Sequence, residues 1–224
     1  MRAGLFFAGL IALCLAKPVC AQVPPTQAEA KAYTGLHRAA HDGDAAAIAR
    51  LAAAGAALEG RDSHGRTPLH VAAFAAQPEA MRALVKAGAD ANALDAQRYD
   101  MATIAGVADR PDVLDVALSL GNSAKNVTSP YDGTALIAAA HLGHVAVVER
   151  LIKAGAPLDH VNNLGWTALM EAVVLGDGGA RHQAIVRALL AAGANRALAD
   201  RQGLTPLQQA ERRGYGEIAA ALRK

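Results

Sequence analysis

Eight histidines and two cysteines are the residues of this 224-residue chain best suited to chemistry. Their spacing decides how much they can do. His37 and His41 stand four apart, and His141 and His144 three apart, so each pair shares one face of a helix and offers two imidazoles to a single ion. A zinc site needs at least a third protein ligand. No HExxH string is present, and no carboxylate–histidine cluster accompanies either pair. No metal or other cofactor is expected. Nucleophilic chemistry has as little to work with. There is no G-x-S-x-G elbow and no G-x-x-x-x-G-K-[ST] phosphate loop, and Ser63, Ser119, Ser123 and Ser129 all fall at turns or helix ends. The acids are dispersed over turn and cap positions. No catalytic residue is expected, and no enzymatic activity.

Both cysteines lie in the first segment, which does not read as part of a fold. Arg2 supplies a positive start, Ala3 to Ala16 an apolar run short of a membrane span, Pro18 a break, and Val19-Cys20-Ala21 small residues before a cut. The expectation is a Sec signal peptide, residues 1–21, cleaved after Ala21, and a periplasmic or secreted mature chain beginning at Gln22. Lys17-Pro18-Val19 lacks the small residues that a lipoprotein site would carry before Cys20. Cleavage removes Cys14 and Cys20, and with them every thiol, which suits an oxidising compartment. The full chain has 22 basic and 20 acidic residues. Arg2 and Lys17 leave with the signal, so the mature chain is balanced at 20 against 20. A neutral chain lacks the basic footprint that nucleic-acid backbones demand, and no membrane association is expected after cleavage.

What would position any site is a repeat. Arg66-Thr67-Pro68-Leu69-His70-Val71-Ala72-Ala73 returns as Gly133-Thr134-Ala135-Leu136-Ile137-Ala138-Ala139-Ala140, as Trp166-Thr167-Ala168-Leu169-Met170-Glu171-Ala172, and as Leu204-Thr205-Pro206-Leu207-Gln208-Gln209-Ala210. Thr34-Gly35-Leu36-His37-Arg38-Ala39-Ala40 precedes them, and Asp100-Met101-Ala102-Thr103-Ile104-Ala105 is a degenerate copy. The blocks start at residues 34, 67, 100, 134, 167 and 205. A second string, Leu84-Val85-Lys86-Ala87-Gly88-Ala89-Asp90, recurs at a fixed offset, as in Leu151-Ile152-Lys153-Ala154-Gly155-Ala156. Each Thr stands where a side-chain oxygen caps a helix, and Pro68 and Pro206 follow where a missing N–H costs nothing. Gly65, Gly165 and Gly203 mark tight turns between units. A single helix pair cannot bury its apolar face alone, so stacking must supply the core.

On these blocks the chain resembles the ankyrin-repeat family, whose units read T-P-L-H-x-A-A at one helix and L-L-x-x-G-A-D after the next, and within it small secreted bacterial members. The resemblance covers about residues 34–224. It implies an all-α ankyrin-repeat solenoid of about six helix-turn-helix repeats joined by short β-hairpin-like loops, behind a lead-in over residues 22–33. Unit boundaries fall at about 34–66, 67–99, 100–133, 134–166, 167–204 and 205–224. His37 and His70 are implied to brace the backbone of neighbouring hairpins. Thr26-Gln27-Ala28-Glu29 has capping-box spacing for a short first helix. The polar last unit, with Gln208, Gln209, Glu211, Arg212 and Arg213, reads as an end cap. The third unit has Arg98, Met101 and Thr103 where Gly, Pro and His are expected, and carries Gly106 inside its first helix. The fifth carries about five extra residues within Gly176–His182, whose Gly and Asp content predicts a mobile loop.

The resemblance further implies a non-catalytic protein-binding module. Its surface is the hairpin tips and the exposed face of the first helices. Carried over position by position, that surface is His64, Arg66 and Phe74 in the second unit, and Arg98 and Tyr99 in the third. The fourth supplies Tyr131, His141 and Leu142, and the fifth Leu164, Trp166 and Leu175. Arg201, Leu204, Arg212 and Arg213 complete it. Phe74, Tyr99, Tyr131 and Trp166 are half of the chain's three Phe, four Tyr and one Trp, and aromatics with Arg suit interface hot spots. Arg66, Tyr99 and Trp166 share one position before the helix-starting residue, which predicts a line of anchors along one side of the stack. The expected protein is a monomeric adaptor, inhibitor or protector of one folded protein partner; the alternative is a structural component of an envelope complex.

Overall fold

The computed structural model describes residues 22–224. The apolar run and the cleavage site after Ala21 lie outside the described residues. Among the described residues there are thirteen α-helices and no strand. A lead-in helix, α1 (Gln27–Ala32), precedes six helix pairs: α2 (Gly35–Asp42) with α3 (Ala45–Ala53), α4 (Pro68–Phe74) with α5 (Pro78–Ala87), and α6 (Met101–Val107) with α7 (Pro111–Ser119). They continue with α8 (Ala135–Leu142) and α9 (Val145–Lys153), α10 (Ala168–Val174) and α11 (Ala180–Ala191), and α12 (Pro206–Arg212) and α13 (Gly216–Arg223). The even-numbered helices pack on one another in chain order as one layer, and the odd-numbered ones from α3 onward form the second.

The layers differ in what they bury. The first is built on alanine: Ala40, Ala72, Ala102, Ala139, Ala168 and Ala210 are fully buried, and their small side chains let adjacent helices approach closely. The second supplies the bulk through Ile48, Leu84, Leu114, Leu151, Leu189 and Ile218. Each such side chain removed from water contributes ~1.5–3 kcal/mol. Every pair therefore leans on its neighbours for a core, as a solenoid requires.

Five of the six predicted threonine caps form, and the third unit substitutes another residue. The hydroxyls of Thr26, Thr67, Thr134, Thr167 and Thr205 accept from backbone N–H groups three residues on, whereas Thr34 makes no side-chain cap bond. In the degenerate third unit a carboxylate, Asp100, takes the cap and becomes the centre of a buried polar cluster. Its Oδ1 accepts from Thr103 N (2.9 Å) and Thr103 Oγ1 (2.7 Å), and its Oδ2 from the amides of Asn122 (2.9 Å) and Asn126 (2.8 Å). Four donors offset the missing proline and histidine.

Between pairs the chain turns in hairpin-like loops closed by backbone bonds such as Asp62 N to Arg66 O (3.1 Å) and Asn162 N to Trp166 O (3.0 Å). At the head of four of these turns an Asp or Asn, residues 62, 95, 162 and 200, accepts on Oδ1 from the N–H groups two and four residues on. Successive tips are stitched together, Ala96 N to His64 O at 3.2 Å and Asn163 N to Tyr131 O at 2.9 Å. The tip glycines hold left-handed backbone that disfavours a side chain, and at Gly165 the space is closed as well. A Cβ on Gly165, at φ +86°, would lie 2.7 Å from Arg201 Cγ. In the third unit Arg98 adopts the same left-handed conformation, at φ 63°.

The histidines brace backbone. His37 Nε2 donates to the Arg66 carbonyl (3.0 Å), His70 Nε2 to the Tyr99 carbonyl (3.0 Å), and His144 Nδ1 to the Gly106 carbonyl (2.8 Å). His70 Nδ1 accepts from Thr67 N (3.1 Å), which fixes the neutral tautomer, and burial lowers its pKa in the same sense.

Two expectations are corrected. The fifth-unit insertion does not hang free. Part of it lengthens α11 to 12 residues, and the remainder is tied down by His182 on Asp177 (2.7 Å), Gln183 on the Gly178 carbonyl (2.9 Å) and the Tyr215 hydroxyl on the Gly176 carbonyl (3.0 Å). A Cβ on Gly176 would lie 2.1 Å from the Ala172 carbonyl, so only glycine fits there. Gln209, expected on the polar outer face, is instead buried and donates to Asp200 Oδ2 (2.5 Å).

Candidate protein-binding surface

The predicted line of anchors does not exist as a line. Arg66 is fully buried. Its Nε donates to Asp62 Oδ2 (2.6 Å), one Nη to Glu29 Oε1 (2.9 Å) and the other to the Val23 carbonyl (2.9 Å). The lead-in helix and the residues before it lie over this position, so Arg66 fastens the N-terminal end of the stack and presents nothing to a partner. Burial acts to raise the Asp62 carboxyl, but donors from Tyr33, Arg66 and His64 outweigh it and hold it at about 2. Tyr99 is 5% exposed and packs within the core. Trp166 alone of the three is half-buried.

Several other positions are engaged between units. His64 stands exposed with Nδ1 2.9 Å from Glu29 Oε1, and Phe74 is half-buried against the core. Arg98 pairs with Asp132 (2.8 Å) in the open. Arg201 donates to the Asn163 carbonyl and Arg213 to Gln209 Oε1 (2.7 Å) and the Val174 carbonyl. Arg212 is exposed and Leu204 half-buried.

The remaining five converge with Tyr99. Tyr99, Tyr131, His141, Leu142, Leu164 and Leu175, drawn from the third to fifth units, line one cavity of about 150 Å³. Leu142, Leu164 and Leu175 are 38%, 38% and 41% exposed and form its rim. Val107, Ile137 and Ala138 complete an apolar wall. Three large exposed leucines around one opening are a contiguous patch, which isolated surface leucines are not.

Sequence reasoning missed what lies beside that wall. Glu171, on α10, lines the same cavity and is 3% exposed. Asn162 Nδ2 donates to its Oε1 at 2.8 Å, while its Oε2 is buried with no hydrogen-bond partner. Burial pushes the carboxyl up to about 7, against the opposing pull of the Asn162 amide. His141 Nδ1 lies 3.6 Å from Oε2, beyond a hydrogen bond. Burial and the neighbouring His182 lower the His141 pKa, so the imidazole is neutral where the carboxyl ionises. The available signal was comparative. The equivalent position in the other units holds Arg38, Val71, Ile104, Ala138 and Gln209, so Glu171 is the sole acid in its column.

Among the described residues no helix is long and apolar enough to cross a membrane. The surface offers a shaped apolar opening with one buried acid, which can grip a protruding group.

Comparison with known proteins agrees with this architecture. The chain is 45% identical to an ankyrin repeat domain (ABAYE2397) from Acinetobacter baumannii AYE, covering 84% of this chain and 95% of that one with a TM-score of 0.78. A chain in the solved complex of the Bd0816 predatory endopeptidase from Bdellovibrio bacteriovorus with immunity protein Bd3460 shares the fold at 23% identity, with a TM-score of 0.69 over 85% of this chain and 97% of that one. The putative ankyrin repeat protein YahD of Escherichia coli strain K12 is 42% identical over 98 residues, which are 43% of this chain and 49% of that protein, so the match spans about half the length of that relative. The family model for ankyrin repeats matches residues 10–95 and 103–198. On that match, and on six stacked helix pairs with their stitched hairpins, the chain belongs to the ankyrin-repeat family.

Proposed function

We propose that this protein is a non-catalytic binding module of the bacterial periplasm that grips one folded protein, as adaptor, inhibitor or protector. The observation that carries this is the apolar opening ringed by Leu142, Leu164 and Leu175, built across three units of a stack whose other surface leucines are few. Such a patch on a protein with no membrane-spanning helix among its described residues is the kind of surface a partner covers. The solved complex of an endopeptidase with its immunity protein holds a chain of this fold, which makes a hydrolase a reasonable partner class to seek. The periplasmic assignment rests on Arg2, the apolar run and Val19-Cys20-Ala21.

Expression of the full chain in a Gram-negative host tests both parts. The exported protein should begin at Gln22 by intact mass; a full-length mass in the periplasmic fraction would refute export with cleavage. Crosslinking in that periplasm should capture one partner at stoichiometric yield, and Leu164→Asp with Leu175→Asp should abolish capture while leaving the melting temperature unchanged. Capture that survives both substitutions would remove this surface from the interface. Recovery of a large envelope assembly in place of one partner would replace the adaptor with a scaffold.

A further inference from the structure

The cavity beneath the three leucines has a chemistry more specific than an apolar patch. Its wall is aliphatic, through Val107, Ile137, Leu142 and Leu175. Its polar lining includes Thr103, Ser129, His141 and Gln22, whose Nε2 is buried without a partner, and its one acid is a carboxyl with one oxygen satisfied by Asn162 and the other, Oε2, likewise buried without a partner. A buried acceptor with no donor is costly, and native proteins keep few of them. At about 150 Å³ the space is an order of magnitude larger than the ~10–15 Å³ that a single water needs, so it admits a chain of several heavy atoms.

The last unit shows that the cost is not imposed by the fold. There the same two positions hold Asp200 on the hairpin and Gln209 on the helix, with the amide and the carboxyl exchanged. Asp200 is saturated: Oδ1 accepts from Gln202 N and Leu204 N, both at 2.9 Å, and Oδ2 from Gln209 at 2.5 Å. In the fifth unit the hairpin residue is Asn162, which satisfies the backbone N–H groups of Leu164 and Trp166 equally well, at 3.0 Å each. The acid has moved to the helix, where nothing saturates it and where it faces the cavity. A carboxyl displaced from a satisfied position to an unsatisfied one beside an open pocket leaves an acceptor free for a donor from outside.

We propose that this cavity receives the side chain of a single lysine carried on a protruding segment of the protein partner, its aliphatic stem against the leucines and its ammonium on Glu171 Oε2. The stem suits the wall because lysine buries its methylenes along apolar surface. The head suits the acceptor because only one carboxylate oxygen is open. An ammonium is a point charge that a single oxygen satisfies, whereas a guanidinium gains most from a bidentate carboxylate, and Asn162 already holds the second oxygen. Arrival of the cation favours the ionised carboxyl, so binding expels a proton near neutral pH. Burial and the neighbouring His182 lower the pKa of His141 beside the carboxyl, which disfavours a competing imidazolium.

This rests on the protein-binding function proposed above, and the test separates the two. Nα-acetyl-lysine methylamide and its norleucine and arginine counterparts are titrated into the isotope-labelled full chain at neutral pH, with amide shifts and the Glu171 side-chain carboxyl signal as readouts. The lysine compound should shift Leu142, Leu164 and Leu175, lower the carboxyl's titration midpoint, and bind about tenfold more tightly than norleucine, with arginine between. Glu171→Gln should remove the advantage of lysine over norleucine. Asn162→Asp combined with Glu171→Gln reproduces the arrangement of the last unit; it should fold normally and also lack that advantage. Equal binding of norleucine, tighter binding of arginine, or a lysine advantage that survives either variant would overturn the proposal. A partner captured equally well by the Glu171→Gln chain would also overturn it and leave the protein-binding function standing. Lysine-selective binding in a chain that captures no partner would do the reverse.

Discussion

Replacing Glu171 with glutamine should stabilise the fold in mild alkali and leave it almost unchanged in mild acid. The carboxyl is 3% exposed, and burial lifts its pKa from 4.5 to about 7 despite the amide of Asn162 on one oxygen. Between those values the folded chain holds a proton that the unfolded chain has released, so stability falls as pH rises through that window. Below 4.5 both states are protonated and the group costs nothing; above 7 the full cost is present. A rise from 4.5 to about 7, at about 1.4 kcal/mol per pH unit, corresponds to ~3 kcal/mol. No neighbouring cation cancels it. His141 on α8 is kept neutral by burial and by His182 on α11, and Arg213 on α12 is committed to Gln209 and the Val174 carbonyl. Glutamine retains an acceptor for Asn162 and never ionises. Urea unfolding of both proteins at about pH 5 and about pH 8 should show similar stabilities at the lower value and a variant more stable by ~2–3 kcal/mol at the higher. If the difference between variant and parent is the same at both pH values, Glu171 is not held in the folded state as a buried, under-satisfied acid, and the reasoning fails.

Three further substitutions test the stack. Arg66→Met should cost about 3 kcal/mol, because it strips a buried cation from Asp62 and Glu29; an unchanged melting temperature would show that the lead-in helix is not fastened there. That cluster also predicts an acid limb. The Asp62 carboxyl is held at about 2, so its contribution is complete above its unfolded value of 3.8 and disappears as pH falls through 2, visible as a melting temperature that drops less steeply in the Arg66→Met chain. Alanine at two glycines should act with opposite sign. Gly106→Ala places a methyl in ordinary contact, 3.6 Å from the Ala135 carbonyl and 3.8 Å from Val147 Cγ1, and should gain ~0.5–1 kcal/mol within α6. Gly165→Ala must hold φ near +86° and meets Arg201 at 2.7 Å, and should cost at least ~1–2 kcal/mol. Calorimetry that gives the two variants the same sign would contradict the tip geometry.

The architecture was legible because it is written six times. A Thr-initiated alanine helix, a Leu-rich second helix and a glycine stop each satisfy a local rule, and the rules agree from unit to unit. Where the pattern degenerates, periodicity still places the element but not its support. The third unit loses its proline and histidine, and the sequence marks it as weak. The structure shows Asp100 gathering Thr103, Asn122 and Asn126, residues spread over 26 positions whose convergence no short-range rule encodes. The insertion in the fifth unit was misread for a related reason. Gly and Asp predict a loop from composition, but the tethers that pin it, Tyr215 above all, come from the next unit.

The site was half legible, and the division follows from what a repeat register can and cannot say. Register gives direction: it placed Leu142, Leu164 and Leu175 on the same side of successive units, and they do share one rim. It does not give occupancy. Arg66 stands at the position of Trp166 one hundred residues earlier in the chain, yet the lead-in helix brings Glu29 and the Val23 carbonyl onto it, and a solvent-facing position becomes a buried clamp. The terminal segment has no counterpart inside the repeats, so no alignment of units could reveal what it covers. Glu171 escaped for the opposite reason. A lone acid in an amphipathic helix is ordinarily a solvated one, and nothing local distinguishes it. Its burial is completed by the packing of neighbouring units, and its meaning appears only beside Asp200 and Gln209, where the same pair of groups is exchanged and the free oxygen is gone. In a repeat protein the informative residue is therefore the one that departs from its own column at a place where the neighbouring units could have satisfied it and did not.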